Sequence, residues 1–90
     1  MTHIRLAATD AEIDRCFPVM VQLRPHVPAD EFVRQVRRQI DSDRYELAFL
    51  EEESTVMAVA GFRLGECLAW GRYMYVYDLN HRARFVAAFS

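Results

Sequence analysis

The chain reads as an α+β domain. Apolar residues recur at helical spacing through its first half, behind a helix-start signature at Thr9–Glu12. From Arg44 the period switches to two. The alternating segments are then separated by short polar or glycine turns, which makes an antiparallel meander. Helices first and a meander after them give the order β-α-α-β-β-β.

Each element has a local reason. Ile4 and Leu6 alternate with polar neighbours and predict a short strand over 3–7. In Thr9-Asp10-Ala11-Glu12 the Thr9 hydroxyl can accept the Glu12 N–H while the Glu12 side chain reaches back, a capping box. Ile13, Cys16, Phe17, Met20 and Leu23 then form one apolar stripe, predicting a helix over 10–23 with a kink at Pro18. Pro25 and Pro28 block its continuation and make 24–28 a turn.

A second helix is predicted from Ala29 to Ile40. Asp30 and Glu31 lie in its first turn, and Arg34, Arg37 and Arg38 further along, the order the helix dipole favours. Phe32, Val33, Val36 and Ile40 form its buried stripe, and Asp41 and Asp43 are expected to counter its arginines. Tyr45, Leu47 and Phe49 alternate as a strand, and 51–54 is a charged turn. Val56 to Leu64 is apolar on both faces, as expected of a central strand covered on both sides. Gly65-Glu66 is read as the next turn and Leu68 to Leu79 as the last long strand.

Composition narrows the function classes. Ninety residues make one small domain with a modest core. A hydrophobic share of 52% argues against disorder, and a net charge of −2 against a nucleic-acid partner. All eleven basic residues are Arg, which reads as genomic base composition rather than chemistry. Apolar runs fall short of the ~20 residues of a membrane span, and no secretory leader pattern opens the chain. Cys16 and Cys67 lack CxxC spacing and are expected reduced and buried, which points to a cytoplasmic protein. His3, His26 and His81 are scattered, so no metal is expected.

Several phrases carry a family resemblance: Ile4-Arg5-Leu6-Ala7, Val59-Ala60-Gly61-Phe62-Arg63, and Trp70-Gly71-Arg72 leading to Tyr75-Val76-Tyr77-Asp78-Leu79. With the element order, residues 3–79 resemble the N-terminal half of the GCN5-related N-acetyltransferases (the GNAT family). The resemblance implies acyl transfer from acetyl-CoA to a small-molecule or peptide amine. It places the backbone of Tyr77, Asp78 and Leu79 against the acetyl and pantetheine amides. It puts Arg24, His26, Tyr73 and Tyr75 in the acceptor pocket, with Asp78 and Tyr75 as catalytic candidates. Simpler readings stand beside these: Asp78 as a strand-end turn cap, and the tyrosines as sheet packing.

The family's pyrophosphate loop is glycine-rich and opens a helix, so that backbone N–H groups hold the phosphates. Here Gly61, Gly65 and Gly71 all precede that position, and residues 80–90 form an atypical tail. The expectation is therefore a truncated GNAT-like domain over 1–79, impaired on its own and lacking the phosphate-binding loop and C-terminal half. A partner chain that completes it and an interrupted reading frame both remain open. The alternative is a non-catalytic interaction module, a homodimer formed through the 68–79 edge strand and the tail.

Overall fold

In the computed structural model, residues 2–82 are described. The element order is β1 (Thr2–Leu6), α1 (Asp10–Arg15), α2 (Phe17–Leu23), α3 (Ala29–Asp43), β2 (Tyr45–Glu52), β3 (Thr55–Cys67) and β4 (Gly71–His81). The four strands form one antiparallel sheet in the order β1-β2-β3-β4. The α+β class follows, with a third helix where two were expected. The tail, expected to be atypical and to share in a dimer contact, lies almost wholly outside the described residues.

The capping box forms: the Glu12 N–H donates to Thr9 Oγ1, and the Ala8 and Thr9 N–H groups donate to Glu12 Oε1. The single kinked helix expected over 10–23 is instead two. Pro18 has no N–H to donate to the preceding turn, so α1 ends at Arg15 and α2 restarts around Cys16 with Pro18 in its first turn. Cys16 closes the first helix through its N–H to the Ile13 carbonyl and opens the second through its carbonyl to the Met20 N–H.

The helix α3 runs to Asp43, beyond the last apolar residue of its stripe. It ends where Arg44 turns left-handed at φ 57° and donates its N–H to the Gln39 carbonyl. Its arginines do not pair as expected with Asp41 and Asp43. Arg34 pairs with Glu31 one turn back, and Arg37 reaches across to Asp10 and the Ala8 carbonyl.

The turns also move. Glu53 and Ser54, both at positive φ, make the β2–β3 turn. The chain passes straight through Gly65 and Glu66 and reverses at residues 68–70. Gly65 serves a different purpose: a Cβ there would lie 2.5 Å from the Tyr73 ring, so the glycine makes room for that ring.

The three helices cover one face of the sheet. Ile13, Cys16, Val19, Met20, Phe32 and Val36 pack on Tyr45, Leu47, Phe49 and Val59. Each buried aliphatic or aromatic side chain here contributes about 1.5–3 kcal/mol relative to exposure. β3 is central, as its apolar pattern requires. On its second face Ala58 is buried, whereas Leu64 of β3 and Met74, Val76 and Leu79 of β4 are exposed. At the β1 end, Arg5 and Arg15 both reach Glu51 and lie over the Phe49 ring, tying β1 and α1 to β2. No helix among the described residues is long and apolar enough to cross a membrane.

Candidate functional site

The site begins with an irregularity in β4. Phe62 pairs with Val76, but the next residue back along β3, Gly61, pairs with Asp78. Tyr77 is the extra residue of a β-bulge. A strict period of two would put Tyr77 and Asp78 on opposite faces. With the bulge, both line a pocket on the helix side of the sheet.

That pocket encloses about 390 Å³. Met20 of α2, Arg24 at its C-terminal cap, and His26 and Val27 of the following loop form one wall. Phe32, Gln35, Val36 and Gln39 of α3 form the second, and Tyr45, Tyr77 and Asp78 close the sheet side. The volume suits a small polar molecule with an apolar body.

Asp78 is the hub. Its Oδ1 accepts from Arg24 Nε at 2.8 Å, and its Oδ2 accepts from the Tyr45 hydroxyl at 2.8 Å. A second Arg24 nitrogen donates to the Tyr77 carbonyl at 2.9 Å. One guanidinium thus clamps both residues of the bulge, a use of its planar fork that lysine cannot reproduce. Asn80 adds a second tie to α2, donating to the Val19 carbonyl at 2.9 Å.

Gly61 makes this possible. A Cβ at that position would lie 1.8 Å from the Tyr45 hydroxyl oxygen and 2.8 Å from Asp78 Oδ2. Only a residue without a side chain lets the Tyr45 ring lie across β3 to reach Asp78. Burial first, and then the adjacent Asp78 charge, push the Tyr45 hydroxyl well above the ordinary tyrosine range. It therefore stays protonated, as a donor and not a base.

Of the residues singled out by sequence, the structure brings Arg24, His26, Tyr77 and Asp78 together on the pocket. Tyr75 packs against Tyr77 with ring centroids 4.7 Å apart and planes tilted by 54°, without lining the pocket. Tyr73 lies across Gly65, further toward the β3–β4 turn. Leu79 pairs with Ala60 and turns its side chain to the opposite face of the sheet. Sequence reasoning missed Tyr45, Gln35, Gln39 and Gly61. The available signal was a glycine inside an otherwise bulky apolar strand, which marks a close approach.

Cys16 lies in the core, where burial pushes its thiol up to about 12. Cys67 is partly exposed at the end of β3, against the expectation that both are buried, and neither forms a disulfide. Among the described residues no three His, Cys, Asp or Glu side chains cluster as metal ligands would.

No family model and no curated protein matches this sequence. Solved structures do match the fold. A GNAT family acetyltransferase from Staphylococcus aureus superposes with a TM-score of 0.78 at 14% identity, over 94% of this chain and 65% of that one. Glucosamine-6-phosphate N-acetyltransferase from Arabidopsis thaliana matches with a TM-score of 0.72 at 19% identity, over 98% and 65%. A predicted acetyltransferase from Clostridium acetobutylicum, solved with acetyl-CoA, matches with a TM-score of 0.64 at 15% identity, over 99% and 68%. The chain thus spans about 65% of the length of the first two. At these identities the likeness speaks to architecture: the chain has a partial GNAT acetyltransferase fold.

Proposed function

We propose that these residues form the acceptor side of an acetyl-CoA-dependent N-acetyltransferase, in which an acyl group passes from a thioester to an amine. The observation that carries the reading is the convergence of Arg24, Tyr45 and Asp78 at the β4 bulge, beside a pocket of about 390 Å³. Acetyl-CoA enters through the fold neighbours, one of them solved with it.

The chemistry follows from the side chains. An amine attacks a thioester only when neutral, so its proton must leave first. The Asp78 carboxylate draws the ammonium form into the pocket, and either it or an adjoining water takes the proton. Tyr45 and Arg24 hold that carboxylate in place. Gln35 and Gln39, four residues apart on α3, offer neutral donors and acceptors to the body of the acceptor. The Tyr77 carbonyl, now held by Arg24, is the group that a pantetheine amide would share.

No glycine follows Gly71 in these 90 residues. A glycine-rich phosphate cradle is therefore not among them, and we propose impaired turnover for the 90-residue chain by itself. A cytoplasmic location belongs to the same reading and draws on the two free thiols.

The test is a calorimetric titration of the folded chain with acetyl-CoA. The expected result is saturable binding, with circular dichroism confirming that the chain is folded. A folded chain that gives no binding heat at millimolar acetyl-CoA overturns the reading. A second reading, a non-catalytic pairing module, draws on the exposed apolar side chains of the opposite sheet face.

A further inference from the structure

The pocket at the β4 bulge carries two opposite charges side by side. Arg24 and Asp78 both line it, with Arg24 Nε 2.8 Å from Asp78 Oδ1. That contact exhausts neither group. A guanidinium has five N–H groups; Arg24 commits one to Asp78 and one to the Tyr77 carbonyl, and three have no partner among the described residues. Asp78 accepts once at each oxygen, from Arg24 and from Tyr45, and each oxygen keeps a second lone pair. The Asp78 side chain is 13% exposed and that of Arg24 41%, so the acid lies deeper than the cation.

We infer, resting on the acyl-transfer reading above, that the acceptor is a free α-amino acid with an aliphatic side chain. A fixed pair of opposite charges selects its ligand by sign. A simple amine drawn to Asp78 is repelled by Arg24 beside it, and a simple carboxylate drawn to Arg24 is repelled by Asp78. A molecule that holds both charges escapes both repulsions when it lies head to tail along the pair. In an α-amino acid the ammonium nitrogen and the carboxyl carbon are two bonds apart, about 2.5 Å. That spacing matches the 2.8 Å between Arg24 Nε and Asp78 Oδ1.

The rest of the lining fits the remainder of such a molecule. Met20, Val27, Phe32 and Val36 give the side chain an apolar bed. His26, on the same wall as Arg24, offers the carboxylate a further donor. Asp78 is the one acid among the described lining residues, so the second ammonium of a diamine would meet none there. Transfer forms the amide N–C bond and breaks the thioester C–S bond. Of the two protons the ammonium gives up, one leaves to solvent through Asp78 or its water, and the other passes to the departing thiolate. The N-acyl product keeps only the carboxylate and faces Asp78 without compensation, which favours its release.

Calorimetric titrations of the full 90-residue chain at neutral pH, without acetyl-CoA, test this with L-leucine, L-leucinamide, isoamylamine and isocaproate. The last three lack the carboxylate charge, the carboxylate and the amine respectively. The expected result is that L-leucine binds at least about tenfold more tightly than each analogue, the effect of one charge-assisted hydrogen bond. Its preference over isoamylamine should disappear in Arg24→Gln, with circular dichroism confirming the fold; the ligand series on the unmodified chain needs no variant to fold. An analogue that binds as tightly as L-leucine overturns the inference, and so does a folded chain that refuses L-leucine at millimolar concentration. The acetyl-CoA titration separates the two readings. Acetyl-CoA bound with L-leucine refused removes the amino acid and leaves acyl transfer standing. L-leucine bound with acetyl-CoA refused supports the amino-acid site and removes acyl transfer.

Discussion

Replacing Gly61 by alanine tests the core of the site with a single methyl group. The added Cβ would sit 1.8 Å from the Tyr45 hydroxyl oxygen, 2.5 Å from the ring carbon that bears it, and 2.8 Å from Asp78 Oδ2. Tyr45 is 3% exposed and packed into the core, so its ring cannot swing into solvent to relieve the clash. Overpacking of this kind costs about 1–3 kcal/mol. Pushing the ring aside also breaks the hydrogen bond from the Tyr45 hydroxyl to Asp78, and a bond to a charged group contributes ~1.5–3 kcal/mol. The expected loss is about 3 kcal/mol, or ~12–24 °C in melting temperature for a domain of this size.

The assay is urea unfolding followed by circular dichroism, run as a double-mutant cycle with Tyr45→Phe. Tyr45→Phe removes the oxygen that makes the closest contact. Gly61→Ala should therefore cost at least 1 kcal/mol less in that background, by the usual size of coupling between touching residues. A Gly61→Ala variant within about 0.5 kcal/mol of the parent chain would refute the reasoning. So would strict additivity of the two substitutions, because it would mean that the glycine and the hydroxyl do not meet.

Two further predictions concern titratable groups. Arg15 and Arg5 hold the Glu51 carboxyl below its usual range of about 4.5, and the Ala8 and Thr9 N–H groups do the same for Glu12. A carboxyl lowered on folding adds stability above about pH 4.5 that is lost as pH falls through its folded value. The urea midpoint should thus drop below pH 4.5 and drop less steeply in Glu51→Gln, whereas an identical acid profile in that variant would contradict the assignment. Thiol reactivity offers a second check. Cys16, with its thiol raised to about 12, should stay unmodified by a thiol-specific reagent in the native chain while Cys67 reacts; equal rates at the two positions would show that the core around α1 and α2 opens readily.

Much of the fold was legible because its causes are local. The capping box at Thr9 and the stripe of α3 depend on residues three or four apart, and the alternation of β2 on neighbours two apart. Where two local rules met, the reading slipped. Apolar spacing argued for one helix through Cys16, and the missing N–H of Pro18 divided it. Gly65 looked like a turn residue, yet the chain stays extended there because the Tyr73 ring needs the room.

The sequence by itself thus determined the order of helices and strands, the capped start of α1, the core face of α3 and the resemblance on which the fold assignment first rested. Tertiary structure decided the geometry of the site. The bulge at Tyr77 exists only in the pairing of β4 with β3, and no local pattern marks which residue falls out of register. Arg24 and Asp78 are 54 residues apart in the chain, and Tyr45 and Asp78 are 33 apart. Hydrogen bonds of that separation form only once the sheet and the helices packed on it have brought the three side chains within 3 Å of one another's donors and acceptors.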